Sequence, residues 1–496
     1  MFKKVLIANR GEIACRVIRA CHKVGIQAAV VYSDADADAL HVRMADEAVR
    51  IGPPPARESY LRIPNIIKAA KKIKADAIHP GYGFLSEKPE FVKAAEDAGL
   101  AFIGPSAKAM EQMGDKVMAR KLAKAAGVPV IPGTEGTVSD RAAAKAAKGI
   151  GFPLMVKAAD GGGGMGIRVV ERPEDLATAL ERARAQAAGA FDSSRVYLEK
   201  RIVKASHIEV QVMGDLHGGA LHFYERDCSV QRRNQKVIEE TPSAKLTPET
   251  RQALVESAVR LVKKIGYYNA GTIEYLFDGD SGQFYFLEMN TRIQVEHPIT
   301  EVATGVDLVE LQLLVAAGEH LPIAQDDIHH SGAAIEARIY PEDPSTLLPT
   351  SGTVEHLALP DGDGVRVDTA LYEGYSVSPY YEPMMAKVIA RGDDRDAAIA
   401  NLQKALDRFK TGGVINNIPL IKRVLNHPTF KSGAYTTGFL EGYLKEPHQA
   451  MGNELVAAIA LAIAQAREKS EGGQPNKWRI FGRRAQVVGR LGSGVA

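Results

Sequence analysis

The sequence predicts a mixed fold, α/β at its start and α+β at its end. Three observations predict it. Residues 1–113 alternate strand-like apolar runs with a helix-period segment, the pattern of a doubly wound sheet. Residues 271–290 hold two β-like runs, and charged and amide side chains crowd directly after the second. Residues from about 331 to 445 mix short strands, turns and one amphipathic helix.

The first strand is Val5–Ala8. Glu12 to Val24 follows as a helix, with Ile13, Val17, Ile18 and Cys21 as its inner stripe. Strand-like segments come next at Gln27–Tyr32, Ala77–His79 and Ala101–Ile103. Doubly wound sheets bind ligands at strand C-termini. Asn9-Arg10-Gly11 and His79–Gly83 fall there, although either could be turn chemistry alone. His79 and Glu87 are therefore minor candidates.

Val156-Lys157 leads into Gly161-Gly-Gly-Gly164-Met-Gly166. Glycines let backbone N–H groups close over phosphates, and Lys157 adds a positive charge. The run fits neither a Walker A loop nor a Gly-x-Gly-x-x-Gly turn, and a flexible linker is the plain alternative. Gly271-Thr-Ile-Glu274-Tyr-Leu-Phe277 and Phe284-Tyr-Phe-Leu287 read as neighbouring strands that aim Glu274 and Glu288 at the same place. The second continues as Glu288-Met-Asn290-Thr-Arg292-Ile-Gln294-Val-Glu296-His297. Period-two alternation carried through this segment puts Glu288, Asn290, Arg292 and Gln294 on one face. Carboxylate and amide oxygens suit Mg²⁺, and an arginine fork suits a small planar oxyanion. The plain alternative is a solvated strand edge. Near the end, Asp396 to Arg408 carries Ile399, Leu402 and Leu406 at helical spacing.

The 496 residues suggest about three domains. Apolar content of 45% and charged content of 25% are ordinary for a globular enzyme. A net charge of +2 gives no reason to expect nucleic acid or an anionic membrane as partner. Cys15, Cys21 and Cys228 make no metal spacing and no disulfide framework. Cys15 and Cys21 share one helical segment and read as core thiols. The chain opens on a strand, without a signal-peptide pattern. No stretch reaches the roughly 18 apolar residues of a spanning helix. The expectation is a cytoplasmic protein.

Ile7-Ala-Asn-Arg-Gly-Glu-Ile13, His79-Pro-Gly-Tyr-Gly-Phe-Leu-Ser-Glu87, Met113-Gly-Asp-Lys116, Glu225-Arg-Asp-Cys-Ser-Val-Gln-Arg-Arg233 and the segment Glu288 to Pro298 occur in this order. In these motifs the chain resembles biotin carboxylases of the ATP-grasp superfamily, from residue 1 to about 445. The resemblance implies an N-terminal α/β domain (1–113), an ATP-grasp domain (114–330) with a mobile lid at about 131–204, and a C-terminal α+β closing domain (331–445). It implies ATP, Mg²⁺ (or Mn²⁺) and bicarbonate as reactants, and biotin carried on a separate protein.

The resemblance also implies residue roles. Lys116, Lys157 and the Gly162-Gly163-Gly164 run would hold the ATP phosphates. Glu199, Lys200 and Ile202 would form the adenine hinge, and His207 and Gln231 would contact adenine or ribose. Asn234 stands where many biotin carboxylases carry histidine, and Met165 where some carry arginine. Glu274, Glu288 and Asn290 would hold metal. Arg292, Gln294 and the Val295 backbone would hold bicarbonate, with Glu296 as general base. Lys236 would sit over the transferred phosphoryl group, and Arg338 would stabilise the biotin enolate. His207 as a satisfied core histidine and the lysines as solvated charges are the plain alternatives.

No Ala-Met-Lys-Met or Val-Met-Lys-Met carrier signature occurs. The implied partners are therefore a separate biotin carboxyl carrier protein, a carboxyltransferase subunit that selects acetyl-CoA, another acyl-CoA or pyruvate, and a second copy of the chain in a homodimer. Two other functions compete: a carbamoyl-phosphate-type ligase and a non-catalytic nucleotide-binding scaffold. ATP turnover that requires biotin separates the first from the carboxylase, and Lys116, Lys236, Glu288, Arg292, Glu296 and Arg338 together argue against the second. Residues 446–496 lie beyond the resemblance. There Asn453 could cap a helix with Leu455, Ile459 and Ile463 on one stripe. Trp478, Phe481 and Arg483 are expected to anchor a partner, although a solvated basic tail is the alternative.

Overall fold

The computed structural model describes residues 1–159 and 166–446. Met1–Glu441 form one compact unit and Gly442–Ala496 a second. Gly162, Gly163, Gly164 and Met165 lie outside the described residues, as do the expected tail helix and the anchors Trp478, Phe481 and Arg483. Among the described residues no helix is long and apolar enough to cross a membrane.

The N-terminal sheet is parallel. It contains β1 (Lys4–Ile7), β2 (Gln27–Ser33), β3 (Glu47–Gly52), β4 (Ala77–His79) and β5 (Ala101–Phe102), in the order 3-2-1-4-5. The doubly wound expectation holds. Strand β3 was not foreseen, because it is an edge strand with only its last two residues buried, and β5 is one residue shorter than expected. The helix Gly11–Lys23 buries Ile13, Val17, Ile18 and Cys21, as expected, together with Cys15. Burial pushes both thiols up to about 12, so they stay neutral core groups.

The order reverses between β1 and β4, and there the two candidate loops meet. Asn9 Nδ2 donates to the carbonyls of Pro80 (2.7 Å) and Tyr82 (2.8 Å). Gly81 has φ 63°, and a Cβ there would meet Asn9 Nδ2 at 2.8 Å, so only glycine fits.

The middle of the chain opens with a three-stranded sheet of β6 (Leu154–Ala158), β7 (Arg168–Val170) and β8 (Val196–Lys200), in the order 7-6-8. Helices Asp140–Ile150 and Leu176–Phe191 belong to the same region, and Ala143, Leu154, Val156, Leu180 and Leu198 give it a core cluster of its own.

The main sheet has eight strands. They are β9 (Ala205–Gly214), β10 (Ala220–Arg232), β11 (Gln235–Thr241), β12 (Asn269–Asp278), β13 (Gln283–Asn290), β14 (Ala333–Ile339), β16 (Val365–Thr369) and β17 (Ala386–Gly392). A separate pair joins β15 (His356–Ala358) to β18 (Lys410–Gly412). The eight run 13-12-9-10-11-14-17-16, with every pair antiparallel. The sheet thus passes without a break from the middle of the chain into its last third. The helix Arg395–Arg408 is capped by Asp394 and buries Ile399, Leu402 and Leu406.

Candidate active site

Antiparallel register builds a row of charge across four strands. Glu288 faces Glu274, Glu274 faces Glu209, and Glu209 faces Arg226. Arg226 is fully buried. It donates to Glu209 (2.5 Å), Gln211 (2.8 Å), Thr300 (3.0 Å) and Thr272 (3.2 Å). Paired in this way, its charge is tolerated away from water.

The Lys236 ammonium stands above that row among three carboxylates: Glu209 at 2.6 Å, Glu296 at 2.7 Å and Glu274 at 3.0 Å. Burial alone would lower its pKa, but the three carboxylates hold it well above the usual lysine value. Glu274 is also buried, which alone would raise it. Lys236 and His207 instead hold it well below the usual carboxylate range. His207 lies 3.3 Å from Glu274, and despite burial its pKa is raised to about 9. The carboxylate neighbours thus favour the charged form of His207.

Glu296 is fully buried at the start of the helix His297–Thr304, which has Pro298 in its first turn. Its side chain does not cap that helix. One oxygen takes Lys236 and the other takes Arg338 Nη2 at 2.8 Å. Arg338 Nε donates to Glu239 at 2.6 Å.

The strand reading of Arg292 and Gln294 needs correction. β13 ends at Asn290, and residues 291–296 form a turn and loop. Ile293, fully buried, enters the cluster that holds Ile7, Ile13 and Ala270 and draws the chain out of the sheet. Hydrogen bonds, not alternation, bring the polar groups together. Arg292 donates to Gln294 Oε1 (2.8 Å) and Asn290 Oδ1 (3.1 Å). Asn290 and Gln294 amides donate to Glu274 at 2.9 and 3.3 Å. Glu87, in the turn segment after β4, reaches Arg292 (3.1 Å) and accepts from Thr291 N (3.2 Å).

Oxygen donors for a hard divalent cation lie together. Glu274 and Glu288 are paired in register, with Asn290 beside them, and Glu288 is half-buried with Lys116 Nζ 3.4 Å away. This donor set fits Mg²⁺ with substrate oxygens completing the shell. Among the described residues, His207, Glu209 and Glu274 also converge, with ligand atoms within 4.8 Å of one another. Lys236 already contributes the cation there.

The expected phosphate and hinge residues lie around β6 and β8. Lys157 Nζ meets Glu199 at 2.5 Å, and Arg120 binds the same carboxylate. Lys200 Nζ donates to the Phe152 carbonyl (2.9 Å), and Ile202 is half-buried. Lys116 opens a helix capped by Asp115, and its N–H meets the Ala159 carbonyl at 3.3 Å, directly before the glycine run.

Gln231 is buried and faces Lys236 across the β10–β11 hairpin. Asn234 is exposed at the tip of that hairpin. Arg233 (φ 49°) and Asn234 (φ 65°) make a two-residue turn of type I′ character, which explains asparagine there. Asn234→Gly keeps the turn. It is expected to raise the ATP KM several-fold with kcat within about twofold. A KM equal to wild type in steady-state assays would remove Asn234 from the nucleotide site.

Sequence reasoning missed Glu209, Arg226 and Glu239. A signal existed for Glu209: in His207-Ile-Glu209-Val-Gln211 polar side chains recur at every second position of an apolar strand.

The chain is similar to known proteins along most of its length. Residues 1–110 match the biotin carboxylase N-terminal domain, residues 115–324 the ATP-binding domain of the carbamoyl-phosphate synthase L chain, and residues 336–442 the biotin carboxylase C-terminal domain. Biotin carboxylase of Halalkalibacterium halodurans is 50% identical over 446 residues, 90% of this chain and 98% of the relative. The mitochondrial methylcrotonoyl-CoA carboxylase subunit alpha of Oryza sativa is 47% identical over 95% of this chain, which spans 63% of that longer protein. Biotin carboxylase of Campylobacter jejuni, solved as a β-γ-ATP complex, superposes with a TM-score of 0.87 at 45% identity, covering 89% of this chain and 99% of that one. The biotin carboxylase domain of Hydrogenobacter thermophilus 2-oxoglutarate carboxylase is a dimer with MgADP, ADP and bicarbonate. It gives 0.86 at 45% identity, covering 90% of this chain and 100% of that one. With a buried glutamate set between a lysine and an arginine, and relatives matched over nearly their full length, this chain belongs to the biotin carboxylase family.

Proposed function

We propose that the chain uses MgATP and bicarbonate to carboxylate biotin presented by a separate carrier protein, through carboxyphosphate. The observation that carries this reading is Glu296, buried between Lys236 and Arg338 and two residues from the Gln294 amide. Bicarbonate is a weak nucleophile until it is deprotonated, so a carboxylate beside it serves as base.

Arg292, Gln294 and the Val295 backbone hold the bicarbonate. Its hydroxyl proton passes to Glu296, and the resulting dianion attacks the γ-phosphorus; the bond to the β–γ bridging oxygen breaks, so ADP leaves and carboxyphosphate is formed. Lys236, Lys116 and Lys157 offset the charge that develops on the phosphoryl oxygens. Glu274, Glu288 and Asn290 would hold Mg²⁺, which when bound neutralises the nucleotide phosphates. Carboxyphosphate breaks down to CO₂ and phosphate, the phosphate takes the ureido N–H proton, and the ureido nitrogen bonds to CO₂ while Arg338 faces the ureido oxygen. Enclosure of the nucleotide by the region at about 131–204 would keep water from the acyl phosphate.

The assembly in this reading is a homodimer that works with a biotin carboxyl carrier protein and a carboxyltransferase subunit. One assay tests the function: bicarbonate-dependent ATP cleavage with and without free biotin. Biotin is expected to stimulate cleavage and to appear as carboxybiotin. Full turnover without biotin, or turnover that requires an ammonia donor, would overturn the reading.

A further inference from the structure

Two carboxylates divide one edge of the Arg338 guanidinium. Nε donates to Glu239 and Nη2 to Glu296. Their surroundings differ. Glu296 also binds Lys236, whereas Glu239 is fully buried, and its second oxygen has no hydrogen-bond partner among the described residues. Glu336 faces Glu239 across the β11–β14 ladder and is fully buried, with neither oxygen partnered.

Burial pushes the Glu336 carboxyl well above the usual range, and Lys387 and Arg338 only partly oppose it. Glu239 is therefore the carboxylate on that side that hydrogen-bonds Arg338, while burial favours the neutral form of Glu336. Glu239 is itself pushed up by burial, to about 7, with Arg338 favouring the ionised form. Removing Glu239 would take away the Nε acceptor and leave Glu296 as the charged group hydrogen-bonded to the guanidinium among the described residues, with the Tyr340 hydroxyl beside it.

The bond to Glu296 weakens during the reaction. When Glu296 takes the bicarbonate proton its carboxyl becomes neutral, and the ion pair with Nη2 becomes a hydrogen bond from a charged donor to a neutral acceptor, without the attraction between opposite charges. We propose that Glu239 is a positioning residue that fixes Arg338 through Nε, so that protonation of Glu296 frees Nη2 for the biotin ureido oxygen without loss of the side chain from the site. This rests on the biotin carboxylase reading above. The proton leaves the bicarbonate hydroxyl for a Glu296 oxygen, and Arg338 exchanges one partner for another with its charge unchanged. Base and oxyanion donor are thereby ordered in time: Nη2 becomes available once bicarbonate has been activated.

The test uses Glu239→Gln, which keeps an acceptor oxygen, and Glu239→Leu, which does not, both in the full chain. Bicarbonate-dependent ATP cleavage without biotin reports folding and the phosphate half-reaction, and it is expected to stay near wild type in both. Biotin carboxylation is expected to fall about 10-fold in the Gln variant and roughly 10²-fold in the Leu variant, the range for losing one charged hydrogen bond. The biotin KM is expected to rise while the ATP KM holds. Equal loss of both activities would reduce Glu239 to a structural residue, and wild-type carboxylation by the Leu variant would show that Arg338 needs no anchor. Absence of biotin-dependent turnover in the wild type would instead sink the functional reading, whatever the Glu239 variants do.

Discussion

Glu296→Gln is expected to lower biotin carboxylation at least about 10²-fold. The amide keeps the volume of the side chain but cannot take a proton from bicarbonate. Its surroundings sharpen the expectation. Glu296 offers one oxygen to Lys236 and the other to Arg338, both donors, at 2.7 and 2.8 Å. A glutamine has one acceptor oxygen, so its NH₂ must face a cation. That buried mismatch costs about 1–3 kcal/mol. Stability should fall modestly, with the chain still folded and MgATP affinity near wild type, because the amide oxygen can still accept from Lys236 and the proposed contacts at Lys116, Lys157 and Glu288 do not involve Glu296. Initial rates of carboxybiotin formation, beside nucleotide binding, check this. Wild-type turnover would remove Glu296 from the role of base.

Arg338→Gln is expected to damage carboxybiotin formation more than bicarbonate-dependent ATP cleavage. The guanidinium faces the base from the side opposite Lys236, which suits an oxyanion that forms only once CO₂ transfer begins. Its loss also strands the fully buried Glu239 and leaves Glu296 with Lys236 as its remaining ion-pair partner among the described residues. Breaking such a buried pair costs about 3–5 kcal/mol. Part of any rate loss will therefore reflect stability and will strike both activities alike. The informative quantity is the ratio of the two rates in one folded preparation. An unchanged ratio would place Arg338 in the phosphate half-reaction.

Local signals made much of this readable. The helix Gly11–Lys23 and the strands around it follow from apolar spacing alone. So does the pairing of Glu274 with Glu288, because a short hairpin of two apolar runs leaves few registers. Glu239 and Arg338 were not readable as a pair. They lie 99 residues apart and meet only because β11 and β14 are neighbours in one sheet, a fact no local periodicity carries. Arg292 and Gln294 failed in the opposite direction. Period-two alternation puts them on a strand face, but β13 ends at Asn290 because Ile293 enters the core, and hydrogen bonds bring them beside Glu274 instead. Asn234 shows a third limit: its left-handed backbone at the hairpin tip depends on the turn between β10 and β11, which the resemblance that placed it did not carry.

The unbroken eight-stranded sheet bears on how the protein is made. Strand β11 emerges from the ribosome early, ending at Thr241, while its outer neighbour β14 begins only at Ala333. Translation at ordinary speed puts roughly 5–20 s between them. Through that interval the nascent chain carries a seven-residue strand with one edge of backbone N–H and C=O groups unpaired, the kind of edge that recruits strands from other chains. Synthesis rate and chaperone access over the stretch from 242 to 339 therefore bear directly on the yield of soluble protein. A protein truncated near residue 330 would keep that exposed edge permanently.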